Sequence, residues 1–111
     1  MVKESIKLIV EGIKQKILDG IKPESIILFG SFARGTVHVH SDVDLLVVWN
    51  VHETLPNVTR RIMLRKLIGF TEIPVDVLTY TTEELKRALQ DEKSFTSQIV
   101  REGEVIYGGL G

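Results

Sequence analysis

The chain has 111 residues, enough to bury one hydrophobic core but not two. Its 14 Lys and Arg residues nearly balance its 15 Asp and Glu residues, and the net charge is −1. No polyanion-binding surface is indicated, so nucleic acid is not expected as a direct substrate. The sequence contains no Cys, which excludes disulfides and thiolate chemistry. Charges of both signs occupy the first fourteen residues and no long apolar run follows. We therefore expect that the chain has no signal peptide and no membrane span. We expect a cytoplasmic location and a single domain over residues 1–111.

The first predicted element is a helix from Val2 to about Leu18. Its apolar residues recur at helical spacing and form one narrow stripe, which we expect to cover a sheet. The stripe consists of Ile6, Ile9, Val10, Ile13 and Ile17. Gly20 and Pro23 are predicted to end this helix.

A strand, a glycine turn and a short helix are predicted next. Ser25 to Phe29 is a short apolar run typical of a buried strand. Gly30 allows a tight turn without a side chain to block a ligand, and Ser31 is a good N-cap for one helical turn over Phe32 to Gly35. Free backbone N–H groups at such a helix start bind phosphate. Arg34 would project near that site and neutralise phosphate charge.

The connector from Thr36 to Ser41 contains two histidines, His38 and His40, which would share one face of a strand. A metal site there would need a third ligand, which the neighbouring sequence does not offer, so a solvated loop or strand start is favoured. Ser41 either fixes the backbone ahead of the next strand or is an ordinary turn serine.

A buried strand carrying two acids is predicted from Asp42 to Val48. The period of two places Asp42 and Asp44 on one face and Val43 on the other. Two neighbouring carboxylates repel each other, which is tolerated where a divalent cation lies between them. Hard oxygen ligands favour Mg²⁺ or Mn²⁺ over zinc.

A loop and a helix are predicted to follow. Trp49 either lies near a ligand pocket or closes the end of the core, and the second alternative is favoured. The segment from Asn57 to Ile68 is predicted to be a helix with two apolar sides, and one of the two sides is expected to be available to another chain. Val58 and Ile62 lie on one side, and Leu64, Leu67 and Ile68 lie on the other. Its basic residues are predicted to be a solvated surface. They are Arg60, Arg61, Arg65 and Lys66.

A third acid, Asp76, lies in a short strand from Pro74 to Leu78. If this strand lies beside the strand of Asp42 and Asp44, three carboxylates converge. That arrangement is typical of a two-metal phosphoryl or nucleotidyl transfer site. Each acid taken alone is most often a cap or turn residue, so the prediction depends on the combination with the glycine-serine turn.

The last third of the chain predicts two short helices rather than one long helix. Thr81 and Glu84 form a capping box at the start of the first. Gly103 ends the second, and Val105 to Tyr107 are predicted to add a short edge strand. The element order predicts an α+β (α/β) fold, a small mixed sheet with helices packed mainly on one face. A P-loop kinase is disfavoured because the glycine turn lacks the required lysine and spacing.

These motifs resemble the nucleotidyltransferase superfamily that includes DNA polymerase β and kanamycin nucleotidyltransferase. The resemblance lies in Gly30-Ser31, the ten residues that follow, Asp42-Val43-Asp44, and the later strand acid Asp76. In size and layout the whole chain looks like the minimal nucleotidyltransferase branch, whose members are antitoxin partners of HEPN-domain RNase toxins. The segment from Arg101 to Tyr107 also looks like the end of such proteins.

The resemblance implies a Mg²⁺-dependent enzyme that uses ATP and two metal ions, with Mn²⁺ as an alternative. Asp42 and Asp44 would hold one metal and share the second with Asp76, while Gly30 and Ser31 bind the terminal phosphates. Asp76 would activate an acceptor hydroxyl, and Arg34 would offset charge on the departing pyrophosphate.

The resemblance also implies an acceptor from outside the chain, because only 35 residues follow Asp76 in this sequence. The first expectation is a HEPN toxin that receives AMP on a tyrosine hydroxyl, in a hetero-oligomer. Two alternatives stay open at this point. One is a non-catalytic antitoxin that masks its toxin, and the other is a small-molecule adenylyltransferase formed by a homo-oligomer or with a helical subunit.

Overall fold

The computed structural model describes residues 2–34, 42–50 and 54–109. Helices and strands follow each other in the predicted order, including two short helices near the end of the chain. The helices are α1 (Val2–Gly20), α2 (Ser31–Arg34), α3 (Asn57–Ile68), α4 (Thr82–Leu89) and α5 (Phe95–Glu102). The strands are β1 (Ser25–Phe29), β2 (Val43–Val48), β3 (Val75–Tyr80) and β4 (Glu104–Gly108). No helix among the residues described combines the length and the apolar character that a membrane crossing requires.

The four strands form one mixed sheet in the order β3-β2-β1-β4. Strand β1 is antiparallel to both of its neighbours, whereas β2 and β3 are parallel. Two parallel neighbours require a crossover connection, and α3 supplies it. The mixed sheet and the α+β class are therefore as predicted.

Alternate residues of the strands enter two separate hydrophobic clusters, one on each face of the sheet. Helices α1 and α3 cover the face with the larger cluster, which includes Ile17, Leu45 and Leu64. Helices α4 and α5 cover part of the other face, where Leu46 and Ile99 belong to the smaller cluster. This second face carries the candidate site.

The stripe of α1 packs as predicted, with Ile13 and Ile17 buried against the sheet. Trp49 is only 1% exposed and belongs to the larger cluster, so it closes the end of the core as favoured above. On α3, the structure shows which of the two predicted apolar sides is open, because Val58 and Ile62 are 64% and 48% exposed.

One residue of α3 contradicts the prediction that all of its basic side chains are solvated. Arg60 is 1% exposed. Its Nη2 donates to both carboxylate oxygens of Glu84, at 2.8 and 2.9 Å, and its Nε donates to the Leu55 carbonyl oxygen at 3.2 Å. A guanidinium tolerates burial when a carboxylate and a carbonyl receive its hydrogens, and here the carboxylate comes from a helix that lies 24 residues further along the chain.

The carboxylate that receives Arg60 also closes the predicted capping box of α4. The backbone N–H of Thr81 donates to Glu84 Oε1 at 2.8 Å, and the Thr81 hydroxyl accepts from the Glu84 N–H at 3.1 Å. Burial alone would raise the pKa of Glu84. Hydrogen bonds from Thr81 and Arg60, together with the Arg60 charge, outweigh burial and hold that pKa below its usual value.

Candidate active site

The glycine turn lies directly against one of the acids. Gly30 follows β1 with φ of 74°, a left-handed conformation that other residues rarely adopt, and α2 begins at the next residue. A Cβ placed on Gly30 would collide with Asp44 Oδ2. Only glycine therefore allows both the turn and the close approach of this carboxylate to the backbone. The phosphate-binding roles of Gly30 and Ser31 remain predictions.

Asp44 and Asp76 lie side by side on neighbouring strands. They are partners in the parallel pairing of β2 and β3, and the Val43 N–H donates to the Pro74 carbonyl oxygen at 2.9 Å at the start of that pairing. Registered residues of a parallel pair point to the same face. Their strand neighbours, such as Val43 and Val77, are fully buried on the opposite face. The strand of the third acid therefore lies beside β2, which was the condition for the acids to converge.

Asp42 is exposed and directly precedes β2. Within residues 2–34, 42–50 and 54–109, no three His, Cys, Asp or Glu side chains are close enough together to hold a metal ion. The structure thus brings Asp44 and Asp76 together, and the three-carboxylate metal site stays a prediction. The pair itself fits a hard divalent cation such as Mg²⁺, because it offers two oxygen ligands of like charge beside a glycine turn without a side chain.

Two further predictions concern residues or side chains outside the described part of the chain. These are the histidine pair His38 and His40, together with Ser41. Arg34 ends α2, but its side chain also lies outside the described part.

Arg65 was not predicted to contact the site, and it pairs with one of the two acids. Its Nη2 lies 3.5 Å from Asp76 Oδ1, and both side chains are about half exposed, at 55% and 51%. An ion pair this exposed contributes less than about 1 kcal/mol. Arg65 nevertheless occupies space next to a carboxylate that a metal ion would need.

If the pair binds Mg²⁺, we expect the Arg65→Gln variant to need about two- to threefold less Mg²⁺ for half-maximal binding, because the metal would no longer compete with a guanidinium for Asp76. A Mg²⁺ titration followed by calorimetry measures this midpoint. Lys66→Gln on the same helix is the matched control, since the Lys66 side chain is exposed and has no bond to Asp76 among the described contacts. An unchanged or higher Mg²⁺ midpoint for Arg65→Gln would contradict the competition.

A cavity of about 320 Å³ opens beside the two acids. The turn and the strands β1, β2 and β3 form its floor, and α5 forms a wall. The lining residues are Phe29, Gly30, Asp44, Asp76, Leu78, Phe95, Gln98, Ile99 and Glu102. Sequence analysis missed the α5 residues, since their pattern is that of an ordinary amphipathic helix and only the position of the helix over the sheet brings them to the site.

Comparison with known proteins places these features in a family. The family model described as "nucleotidyltransferase domain" matches residues 6–104. The protein adenylyltransferase MntA of Shewanella oneidensis is 31% identical over 87 residues, which cover 78% of this chain. The chain spans about half of that relative, 55% of its length. A candidate protein adenylyltransferase of Methanocaldococcus jannaschii is 28% identical over 106 residues, covering 95% of this chain and 97% of the relative.

Two solved structures have similar folds. A crystal structure from Sulfolobus solfataricus, described as a candidate nucleotidyltransferase, superposes with a TM-score of 0.65 at 19% identity, over 96% of this chain and 83% of the other. A chain of a toxin-antitoxin crystal structure with AMP-PNP superposes with a TM-score of 0.60 at 28% identity, over 89% of this chain and 73% of the other. The predicted fold is confirmed by these superpositions.

Proposed function

Because the chain belongs to the nucleotidyltransferase domain family, we propose that it transfers AMP from ATP to a hydroxyl group of a partner protein, and that this partner is a HEPN RNase toxin neutralised by the modification. The nucleotidyltransferase class of enzyme, predicted from the sequence, is confirmed by the family match. The observation that carries the proposal is the registered pair Asp44 and Asp76 beside the Gly30 turn, in a cavity large enough for a small ligand.

The proposed reaction forms a bond between the acceptor oxygen and the α-phosphorus of ATP and breaks the bond from that phosphorus to the bridging oxygen. Pyrophosphate leaves. Asp42, Asp44 and Asp76 would hold two divalent cations. These cations would neutralise negative charge on the triphosphate and make the acceptor hydroxyl more acidic.

The chain's own residues have four roles in this proposal. The turn at Gly30 and Ser31 holds the terminal phosphates through backbone N–H groups and the serine hydroxyl. The Asp44 carboxylate would hold the metal ions at one end of the cavity. Asp76 receives the proton of the acceptor hydroxyl. Arg34 offsets negative charge on the departing pyrophosphate.

The proposal of a protein acceptor is supported by the relatives. The Shewanella relative is named a protein adenylyltransferase, and one structural neighbour comes from a toxin-antitoxin structure with an ATP analogue. We propose ATP as the nucleotide and a hetero-oligomer with the toxin on the same basis. The proposed cytoplasmic location rests on the sequence alone.

The direct test incubates the protein with its copurified partner, Mg²⁺ and ATP labelled at the α-phosphate. We expect label on the partner and an intact mass raised by whole AMP units. The Asp42→Asn variant should transfer no label. Label that appears only on small molecules would instead support a small-molecule adenylyltransferase.

Masking of the toxin without catalysis is a second candidate, because Val58 and Ile62 leave an apolar strip of α3 open to a partner. Masking predicts that Asp42→Asn still neutralises the toxin in a growth assay, whereas the enzymatic proposal predicts that neutralisation is lost. If the toxin binds the Asp42→Asn variant and remains active, the result supports the enzymatic proposal over masking.

A further inference from the structure

Helix α5 presents one consistent face to the candidate active site. The four residues that line the cavity are spaced by three and four positions, so they lie on one side of the helix. Ile99 is 3% exposed and anchors this side in the smaller hydrophobic cluster. Phe95, Gln98 and Glu102 flank Ile99 and are exposed to the cavity.

Two of these exposed residues are poor choices for stability alone. Phe95 is 63% exposed, and its ring meets the ring of Phe29 edge-on, with the two centroids 6.2 Å apart at an interplanar angle of 81°. Glu102 is the last residue of α5, where the helix dipole disfavours an acid. It also faces a cavity that Asp44 and Asp76 already make negative.

Helix α5 packs against β1, the strand that leads into the glycine turn. A Cβ on Gly103, the residue after Glu102, would press on the Ile27 side chain and the Leu28 carbonyl oxygen, so the end of α5 touches β1. Strand β1 is an inner strand that runs directly into Gly30, whereas Asp76 lies on the edge strand β3, two strands away. An acceptor that approaches Asp76 from the β3 edge would therefore leave the space under α5 to the nucleotide.

The chemistry of the wall matches the uncharged part of a nucleotide. Gln98 Nε2 donates to Glu102 Oε2 at 3.2 Å, which orients the carboxylate and leaves its second oxygen as an acceptor. A carboxylate repels phosphate but accepts hydrogen bonds from neighbouring hydroxyls. An exposed aromatic ring offers a stacking surface to any base.

We infer that α5 is the nucleoside-recognition wall of the site, with Glu102 accepting hydrogen bonds from the ribose hydroxyls and Phe95 stacking on the base of a ribonucleoside triphosphate. This inference rests on the proposed function, since it assumes that the cavity binds a nucleotide. It adds the surface that distinguishes ribonucleotides from deoxyribonucleotides and from bare polyphosphate.

The test is an equilibrium binding experiment on the full chain, with Ca²⁺ replacing Mg²⁺ to prevent turnover. The probes are ATP, its 2′-deoxy and 3′-deoxy analogues, and inorganic tripolyphosphate. We expect the wild type to bind ATP about tenfold more tightly than the weaker deoxy analogue, the loss expected when a hydrogen bond to a charged group is removed. In Glu102→Gln this preference should fall to about twofold or less. The ratio is the readout because removal of a negative charge changes the affinity for all four anions together.

Phe95→Ala should weaken binding of all three nucleotides about tenfold and leave tripolyphosphate binding unchanged. Glu83→Gln is the matched control, because the Glu83 side chain is 74% exposed on α4 and does not line the cavity. Circular dichroism melting confirms that each variant is folded.

Two results would overturn the inference, and they separate it from the proposed function. Suppose that the wild type binds ATP, that Glu102→Gln keeps the wild-type ribose preference and that Phe95→Ala keeps the wild-type affinity for ATP. In that case α5 is not the nucleoside wall, and the proposed function survives. If the wild type binds neither ATP nor its analogues, both fail together.

Discussion

The Asp44→Asn variant is expected to transfer AMP about a thousandfold more slowly than the wild type while remaining folded. The loss follows from removal of a group that stabilises transition-state charge. The variant should stay folded because an amide has almost the same size as the carboxylate it replaces, so the pairing of β2 with β3 at this position is kept. Initial rates of label transfer and thermal melts on the same preparations measure the two effects.

Asp76→Asn is the companion variant and Asp19→Asn is the control, since Asp19 is exposed near the end of α1, away from the cavity. The companion should lose activity to a comparable degree, while the control retains it. If the activity of Asp44→Asn is within tenfold of that of the wild type, the carboxylate pair does not take part in the reaction. Inactivity accompanied by a large drop in melting temperature, in both variants, would show a structural role for the pair.

The parts of this site that the sequence predicts are those with local signals. Gly30 ends an apolar run, and its turn is a property of a few adjacent residues. The acids of β2 and β3 each interrupt an apolar run, which fixes the face on which they lie once the strands are paired. The capping box of α4 is likewise predicted from four consecutive residues.

The parts that the sequence does not predict depend on contacts between distant segments. Arg60 has the same local surroundings as the exposed basic residues of α3, and only the packing of α4 against α3 brings Glu84 to it. The sequence does not predict the nucleoside wall for the same reason. Phe95 and Glu102 resemble surface residues of a short helix until α5 is placed over β1.

The second large effect concerns stability. Glu84→Ala is expected to lower the free energy of unfolding by about 3 kcal/mol, because it leaves the guanidinium of Arg60 buried without a carboxylate and also removes the capping box of α4. The estimate is at the lower end for a broken buried pair, since the Glu84 side chain itself remains 34% exposed. Urea unfolding of wild type and variant at pH 7 measures this difference.

The charge of Glu84 makes part of this stability dependent on pH. Its pKa is lower in the folded protein than in the unfolded chain, so the folded state binds fewer protons and the contribution is present above the unfolded value, about 4.3. It is lost as the pH falls through the lower folded pKa. Glu84→Gln keeps the size of the side chain and removes the charge, so its deficit relative to the wild type should be largest near pH 7 and shrink below about pH 4. Glu83→Gln, one residue away and 74% exposed, should follow the wild type across this range. A deficit of Glu84→Gln that stays constant from pH 7 to pH 3 would mean that its hydrogen-bonding geometry, and not its charge, stabilises the contact between α3 and α4.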